Sequence, residues 1–309
     1  MRELERRNAD NEFSVLRNVA ELRSAVAAAR AADRTVGLVP TMGAFHRGHL
    51  SLMRRARGEC DLVAVSLFVN PAQFEDAEDL EAYPRDELED AKLAQAEGVD
   101  LLFVPDREEV YPPDFATTVE VRGLTDVLCG EPSSRGSDHF RGVTTVMAKL
   151  LNMCQPDVAY FGQKDFQQAL VIERMVCDLD IPVQIEICAT VREDDGLAMS
   201  SRNAYLSADE RERAPALKRA LDAAAREVGE ADEMRRSALA ELATVGIEPE
   251  YLEILDASDL SPVESVAGKR VVVAIAARVG RARLIDNIVI EGPTSGAGAP
   301  QQPSAVAAA

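Results

Sequence analysis

Short apolar runs alternate with amphipathic segments through the first two thirds of the chain. Continuous apolar runs bounded by Gly, Pro or polar residues are typical of buried parallel strands, and the segments between them have helical spacing. This alternation indicates βαβ units around a mostly parallel sheet. The predicted strands are 35–40, 62–69, 100–105, 158–161 and 183–187, and the predicted helices are 18–32, 48–58, 86–97, 144–154 and 167–178.

The pattern changes after about Val191, where helical segments are followed by extended ones. Ser207 with Glu210 is a capping-box pattern, which predicts one long helix to about Val228. Helices followed by strands favour a separate α+β domain with an antiparallel sheet. The remaining predicted elements are a helix over 232–245 and strands over 250–255, 270–276 and 281–290.

These patterns predict an α/β chain: a Rossmann-like parallel sheet with helices on both faces, plus a smaller C-terminal α+β domain. The sheet is expected to bind its ligand beyond the carboxyl ends of its strands. The predicted divisions are a flexible leader over 1–13, the Rossmann-like domain over 14–190, a C-terminal lid domain over 191–292 and a disordered tail over 293–309.

The charge and the apolar content of the chain limit the kinds of partner it is expected to bind. The chain has 34 Lys and Arg against 53 Asp and Glu, a net charge of −19, which argues against nucleic acid or an anionic membrane bound through a basic surface. The N-terminus lacks the apolar run of a secretory signal, and the most apolar stretch, 271–277, is too short to span a bilayer. We therefore expect a cytoplasmic protein without a membrane partner.

Two of the three histidines in the chain stand close together after the first predicted strand, in the segment TMGAFHRGH. His46 and His49 are three residues apart where a helix should begin, so they share one face. The helix N–H groups favour an anion, and Gly48 permits close approach of a ligand to the main chain. These features suit the phosphates of a nucleotide, whereas the alternative is a surface helix with incidental histidines.

The segment from His46 to His49 resembles the HxGH signature of the nucleotidyltransferase superfamily. The longer string PTMGAFHRGHLSL resembles the pantothenate synthetase (pantoate–β-alanine ligase) family, and other motifs of that family follow in order. The matching segments are FVNPAQF at 68–74, DL and AYPR within 79–85, YFGQKDFQQ at 160–168, TVRE at 190–193 and DGLAMSSRN at 195–203. The agreement runs from about residue 36 to 203 and continues weakly to 290.

The resemblance implies an enzyme that uses ATP to join pantoate to β-alanine through a pantoyl adenylate, a Mg²⁺ ion beside the triphosphate, and a homodimer. It implies that His46, His49, Lys164 and Arg202 are catalytic, with His49 as the proton donor. Gln73 and Gln168 would hold pantoate, and Gln73 would also face β-alanine. The residues implied for ATP are Met42, Gly43, Ala44, Phe45, His46, Arg47, Gly48, His49, Gly162, Gln163, Lys164, Asp165, Val191, Met199, Ser200, Ser201 and Arg202.

Several of these positions have a simpler interpretation. An amide at Gln73 both donates and accepts hydrogen bonds, yet it could be a polar loop residue. Lys164 can reach a phosphate as a mobile charge, while Asp165 could cap the next helix or hold a ribose hydroxyl. Residues 199–202 would close over the phosphates as a lid.

The segment 75–109 has 14 acidic and 3 basic residues. A solvated helix face is the simpler interpretation, and a Mg²⁺ site at Asp90, with Glu89, is the alternative.

The chain departs from the family at two places. The segment from Arg135 to His139 has one residue more than the family's Arg-Pro-x-His-Phe and lacks the Pro, and Gln163 stands where Glu is frequent.

Two other functions remain open. A related nucleotidyltransferase would make a stable nucleotide product, and a non-catalytic module would bind ATP without releasing pyrophosphate.

Overall fold

Six parallel strands form the main sheet, in the order β1-β4-β3-β2-β5-β6. The computed structural model describes residues 13–74, 80–81, 83–131, 134 and 136–293. The order reverses between β2 and β5, so the adjoining carboxyl ends open a crevice where ligands bind in such sheets. The strands are β1 Ser14–Leu16, β2 Val36–Thr41, β3 Leu62–Leu67, β4 Leu101–Phe103, β5 Val158–Gly162 and β6 Gln184–Cys188.

Helices cover both faces of this sheet, because successive strand side chains point to opposite sides. Leu38 packs in the same core cluster as α1, α5 and α6, whereas its neighbour Val39 packs with α2 and α3. The Asn18–Glu21 capping box begins α1 as the sequence predicts. The helices are α1 Val19–Ala31, α2 Arg47–Glu59, α3 Glu87–Ala96, the short α4 Arg107–Val110, α5 Gly136–Cys154 and α6 Phe166–Asp178.

The C-terminal third has its own core around a three-stranded antiparallel sheet, in the order β7-β8-β9. Helices α8 and α9 pack on this sheet with small and branched apolar residues. Together with the parallel sheet, this arrangement confirms the predicted fold class. The elements are α7 Ala208–Arg213, α8 Ala216–Arg226, α9 Ala231–Ala243, β7 Pro249–Asp256, β8 Arg270–Val279 and β9 Ala282–Glu291.

The sequence prediction was wrong at three elements. The capping box at Ser207 is present, but the helix ends at Arg213 and a second begins at Ala216, because Pro215 has no N–H to continue the first. Strand β1 was missed, since three residues are too few to show a pattern. Helix α5 begins at Gly136 rather than near residue 144, so His139 lies in a helix and not in a loop.

The predicted leader, apart from Phe13, and the predicted tail beyond Pro293 lie outside the described residues. Arg135, Ala82 and residues 75–79 of the acidic segment also lie outside the described residues. Within the part of the chain that the structure describes, no helix combines the length and apolarity needed to cross a membrane.

Candidate active site

A cavity of about 560 Å³ lies beyond the carboxyl ends of β2, β3 and β5 and is closed on its other side by the C-terminal domain. Residues from most of the predicted motifs line this cavity. The predicted residues in its wall are Met42, His46, Gly48, His49, Gln73, Gly162, Lys164, Asp165, Gln168, Val191, Met199, Ser200, Ser201 and Arg202. Gly43, Ala44, Phe45, Arg47 and Gln163 lie beside these residues in the chain but outside the cavity lining.

The two histidines of α2 are held by backbone groups. His46 is the N-cap of α2, and its Nδ1 accepts the Gly48 N–H at 3.1 Å. His49 Nδ1 in turn accepts the His46 N–H at 3.4 Å, and the two ring centroids are 4.2 Å apart. A neutral imidazole whose Nδ1 accepts a hydrogen bond carries its proton on Nε2. Both rings therefore offer an Nε2–H donor.

Burial keeps both rings neutral. It lowers the pKa of His49 to about 3, and it also lowers the pKa of His46, with the Lys164 charge adding to both effects. A ring with so low a pKa holds no extra proton near neutral pH. These values favour hydrogen-bond donation by His49 over the proton transfer that was expected of it.

Gly48 is required by the position of the His46 ring. A Cβ at residue 48 would lie 2.8 Å from His46 Cε1 and 3.0 Å from His46 Nδ1. Any side chain here would push the imidazole out of its place, so the glycine in HxGH keeps the first histidine on its backbone partner.

Asp90 holds the loop that leads into α2. The residue is 3% exposed, and its two carboxylate oxygens accept the N–H groups of Ala44 at 2.8 Å and Phe45 at 2.7 Å. Ala44 has a φ of 54°, an unfavourable left-handed conformation that these hydrogen bonds help to maintain. Burial raises the pKa of this carboxyl group. These contacts favour a structural role for Asp90 over the predicted role as a Mg²⁺ ligand.

A network around Gln73 fixes the 3₁₀ turn Pro71–Gln73 after β3. Asn70, which is buried, donates to Gln73 Oε1 at 3.0 Å and to Gly142 O at 3.1 Å. His139 Nδ1 lies 2.8 Å from the main-chain oxygen of Gln73. A Cβ at Gly142 would lie 2.1 Å from Ala72 O, so only glycine lets α5 approach this turn. Gln73 itself lines the cavity, where its Nε2 donates to Met42 Sδ at 3.1 Å.

The 3₁₀ turn Gln163–Asp165 carries Lys164 from the end of β5 into the cavity. Lys164 Nζ lies 3.7 Å from Asp165 Oδ2, and its side chain is only 18% exposed. At the start of α6, the neighbouring side chains of Gln167 and Gln168 have different surroundings. Gln167 is buried and bonded to the main chain of Leu124, Val127 and Cys129, whereas Gln168 lines the cavity.

Residues 199–202 form the wall on the side of the C-terminal domain. The chain turns at Gly196, Met199 N donates to Val191 O at 2.9 Å, and Ser200 caps the 3₁₀ turn Ser201–Tyr205. Arg202 and Ser201 lie beside Tyr83, which comes from the sheet domain. This loop thus contacts both sides of the cavity.

Three residues with clear positions in the site had no role in the sequence prediction. Asn70 and Tyr83 stand inside the recognised motifs, so their motifs were a signal even though their side chains were not assigned. Asn287 on β9 binds the Lys164 turn, and nothing in its sequence neighbourhood indicates this.

No group of three or more His, Cys, Asp or Glu side chains suited to a metal ion occurs in the described ranges. The cavity therefore offers hydrogen-bond donors and cations for an anion, together with amides for a hydroxylated ligand, rather than a metal cage of protein ligands.

Comparison with known proteins agrees with this geometry. The profile of the family described as pantoate-beta-alanine ligase matches residues 14–289. The pantothenate synthetase of Moorella thermoacetica is 52% identical over 284 residues, which are 90% of this chain and 99% of that protein.

Two solved structures are also similar. The crystal structure of pantothenate synthetase from Thermus thermophilus has a TM-score of 0.82 at 47% identity, and the match covers 89% of this chain and 99% of the other. A pantoate-beta-alanine ligase from Francisella tularensis, complexed with beta-gamma ATP and beta-alanine, has a TM-score of 0.75 at 31% identity, covering 90% and 98%. The chain therefore belongs to the pantoate–β-alanine ligase family.

Proposed function

We propose that this chain uses ATP to join (R)-pantoate to β-alanine, releasing AMP and pyrophosphate, through a pantoyl adenylate. The observation that carries the proposal is that the histidine pair, Lys164, Arg202 and the two glutamines line one cavity. The ligands of the Francisella tularensis relative support binding of ATP and β-alanine here. Family membership supports the overall pantothenate-forming reaction.

The first step activates pantoate, because a free carboxylate is a poor acyl donor to an amine. The pantoate carboxylate attacks the α-phosphorus of ATP, the bond to pyrophosphate breaks, and a mixed anhydride with AMP remains. Negative charge builds on the α-phosphoryl oxygens. The Nε2–H groups of His46 and His49, fixed in advance by backbone hydrogen bonds, donate to these oxygens.

Lys164 and Arg202 neutralise the departing pyrophosphate from opposite sides of the cavity. Lys164 stands on the sheet domain and acts as a point charge, whereas Arg202 belongs to the loop of the C-terminal domain. The hydroxyls of Ser200 and Ser201 add hydrogen bonds to the same phosphates. This loop also excludes water, which would hydrolyse the anhydride.

The second step forms the amide. The neutral amine of β-alanine attacks the acyl carbon of pantoyl adenylate, AMP leaves, and the amine loses its extra proton to the departing phosphate or to solvent. Gln73 and Gln168 hold the hydroxyl and carbonyl oxygens of the pantoyl group, because an amide offers both a donor and an acceptor. Gln73 also faces the incoming β-alanine.

Mg²⁺ remains part of the proposal as a companion of the triphosphate. In nucleotide sites this ion usually binds phosphate oxygens, several waters and one or two carboxylates, so it does not need a cage made wholly of protein ligands. The described residues do not provide one, and both Asp90 oxygens are used by backbone N–H groups. No step of the proposed mechanism relies on a protein ligand to the ion.

One assay separates the proposed function from its two alternatives. With ATP and pantoate alone, we expect release of one pyrophosphate per site, followed by AMP when β-alanine is added. A nucleotidyltransferase of another kind would transfer label from ATP into a stable nucleotide product. A binding module would retain ATP and release no pyrophosphate, and either result would reject the proposal.

The Lys164→Ala variant tests the site. Because Lys164 would pair with the pyrophosphate leaving group, we expect weaker ATP binding and at least about tenfold slower pyrophosphate release, the size of one lost charged hydrogen bond. Unchanged ATP affinity with unchanged turnover would remove Lys164 from the site.

The homodimer and the cytoplasmic location stay predictions. Sedimentation equilibrium of the purified chain would measure its oligomeric state.

A further inference from the structure

Asn287 lies on β9 of the C-terminal domain, yet it binds the turn that carries Lys164. The residue is 3% exposed, and its Nδ2 donates to Gln163 O and to Lys164 O, both at 2.9 Å. The turn and the strand are 123 residues apart along the chain at Lys164. A buried amide with two such donors is a specific cross-link between the domains and not a surface contact.

The partners of the Asn287 side chain determine which way its amide group is oriented. Both neighbouring main-chain groups are carbonyls, which only accept hydrogen bonds, so the NH₂ end of Asn287 must face them. Its Oδ1 accepts from the side-chain Nε2 of Gln163 at 3.4 Å. All the hydrogen-bonding groups of the Asn287 side chain are therefore directed at the turn from Gln163 to Lys164.

The adjacent residue on β9 binds a different segment of the same cavity wall. Asp286, also buried, makes a two-pronged ion pair with Arg192, with distances of 2.6 and 2.9 Å. Arg192 follows Val191, which lines the cavity and pairs with Met199 through its main chain. Two successive residues of β9 thus bind two separate parts of the site. Asp286 binds Arg192, and Asn287 binds the Lys164 turn.

The start of the Lys164 turn has no capping side chain of its own. Its N-cap is Gly162, which supplies no side-chain hydrogen bond. Loss of the two Asn287 donors would leave two carbonyls without these partners in the domain interface, and the turn could then change its course. A displacement of about 1 Å is enough to weaken a charge that must meet a phosphate.

We propose that Asn287 is a positioning residue for Lys164, through which the C-terminal domain fixes the phosphate-binding charge of the sheet domain. The inference rests on the proposed function for the identity of the phosphate ligand. It adds that ATP affinity depends on a β9 residue that acts through the main chain of the Lys164 turn.

A double-mutant cycle tests this inference. Asn287→Ala and Lys164→Ala are made singly and together in the full chain, and the dissociation constant for ATP is measured by isothermal titration calorimetry. We expect Asn287→Ala to weaken ATP binding about tenfold when Lys164 is present and less than twofold when it is absent, because residues in one network are not additive. The same loss in both backgrounds would overturn the proposal.

Two further variants separate positioning from general loosening of the fold. Asn287→Asp keeps the side-chain volume and the acceptor for Gln163 but loses both N–H donors, so we expect a similar loss of ATP affinity. Ile288→Val removes one methylene from the next residue, which packs in the C-terminal core, and we expect ATP affinity within twofold of the parent chain. An equal loss in Ile288→Val would assign the effect to stability and reject positioning.

The outcome is distinct from failure of the proposed function. If the parent chain binds ATP but releases no pyrophosphate with pantoate, the proposed function fails, while the binding cycle still decides the role of Asn287.

Discussion

Helices α2 and α5 both begin at the cavity with a histidine against the main chain, but the two starts use that residue in opposite ways. At α2, Nδ1 of His46 and of His49 accepts a backbone N–H. At α5, His139 Nδ1 faces the Gln73 carbonyl, which can only accept, so here Nδ1 carries the proton. The backbone partner thus decides which nitrogen donates, and the residue type alone does not.

This difference separates two tasks within one site. The start of α2 presents ring N–H donors and a positive helix end, which suit an anion. At the start of α5, His139 and Gly142 contact the main chain of the Pro71–Gln73 turn. These contacts fix the turn that carries the neutral Gln73 side chain. Replacing each histidine by Asn or Gln tests which ring nitrogen donates. Asn places its NH₂ near the position of the histidine Nδ1, whereas Gln places it near that of Nε2.

The largest effect is expected at His49. His49→Ala should slow pantoyl adenylate formation by about 10²–10³, the usual loss for one transition-state donor. His49→Gln keeps a donor near Nε2 and should recover part of this loss, whereas His49→Asn should not. Single-turnover release of pyrophosphate measures the rate. Near-normal adenylation by His49→Ala, or better activity in the Asn variant, would reject donation from Nε2.

Gly48 offers a sharper test of the same helix start. Gly48→Ala would place a Cβ 2.8 Å from His46 Cε1, so the ring must move and adenylation should fall about tenfold. Gly58, in the same helix, has no atom within 4 Å of an added Cβ, so Gly58→Ala is the matched control. It should leave adenylation unchanged and raise stability by up to about 1 kcal/mol. Equal rates in the two variants would show that the His46 position does not matter.

The start of α5 should show the reverse order of amides. His139→Asn keeps a donor for the Gln73 carbonyl and should stay close to the parent, whereas His139→Gln and His139→Ala should raise the KM for pantoate roughly fivefold, about 1 kcal/mol for one hydrogen bond. Initial rates at varied pantoate give the KM, and melting temperatures show whether each variant is folded. If Gln restores pantoate affinity better than Asn, His139 acts through Nε2 instead.

The smallest effect concerns pH and stability. Burial lowers the pKa of His46 and of His49, the latter to about 3. In the unfolded chain each ring takes up a proton below about pH 6.5, whereas the folded protein binds that proton only at a lower pH. For His49, the free energy of unfolding should therefore fall as the pH decreases from about 6.5 towards 3, by at most about 1.4 kcal/mol per pH unit. The lowered pKa of His46 adds a loss of the same sign.

The His49→Gln variant isolates this contribution, because it removes one titrating group and leaves the carboxylates unchanged. Urea unfolding at several pH values should give it a shallower slope than the parent chain. Identical slopes would mean that His49 titrates alike in the folded and unfolded states.

Sequence reasoning was most successful where a local pattern carries the information. Continuous apolar runs gave five of the six parallel strands, and the boxes at Asn18 and Ser207 begin helices as expected. These signals are short-range, because strand burial and helix caps depend on neighbouring residues. The fold class followed from the order of the elements alone.

The failures involve contacts that no local pattern encodes. The polar segment before His139 suggested a loop, yet it forms the first turns of α5 because that helix packs on the Pro71–Gln73 turn. Asp90 was interpreted from its charge, while its partners are N–H groups of a loop more than forty residues earlier in the chain. Asn287 stands beside Asp286 in a strand, and neither polar residue gives any sign in the sequence of its distant partner.

The bond from Asn287 to the Lys164 turn also has a consequence for synthesis of the protein. The ribosome makes Lys164 well before β9, and 123 residues separate the two partners. At the usual rate of translation this interval is roughly 6–25 s, long enough for the parallel sheet to fold first. We therefore expect a nascent chain to fold its parallel sheet before the Lys164 turn is fixed, and to reach its full ATP affinity only when β9 has left the ribosome.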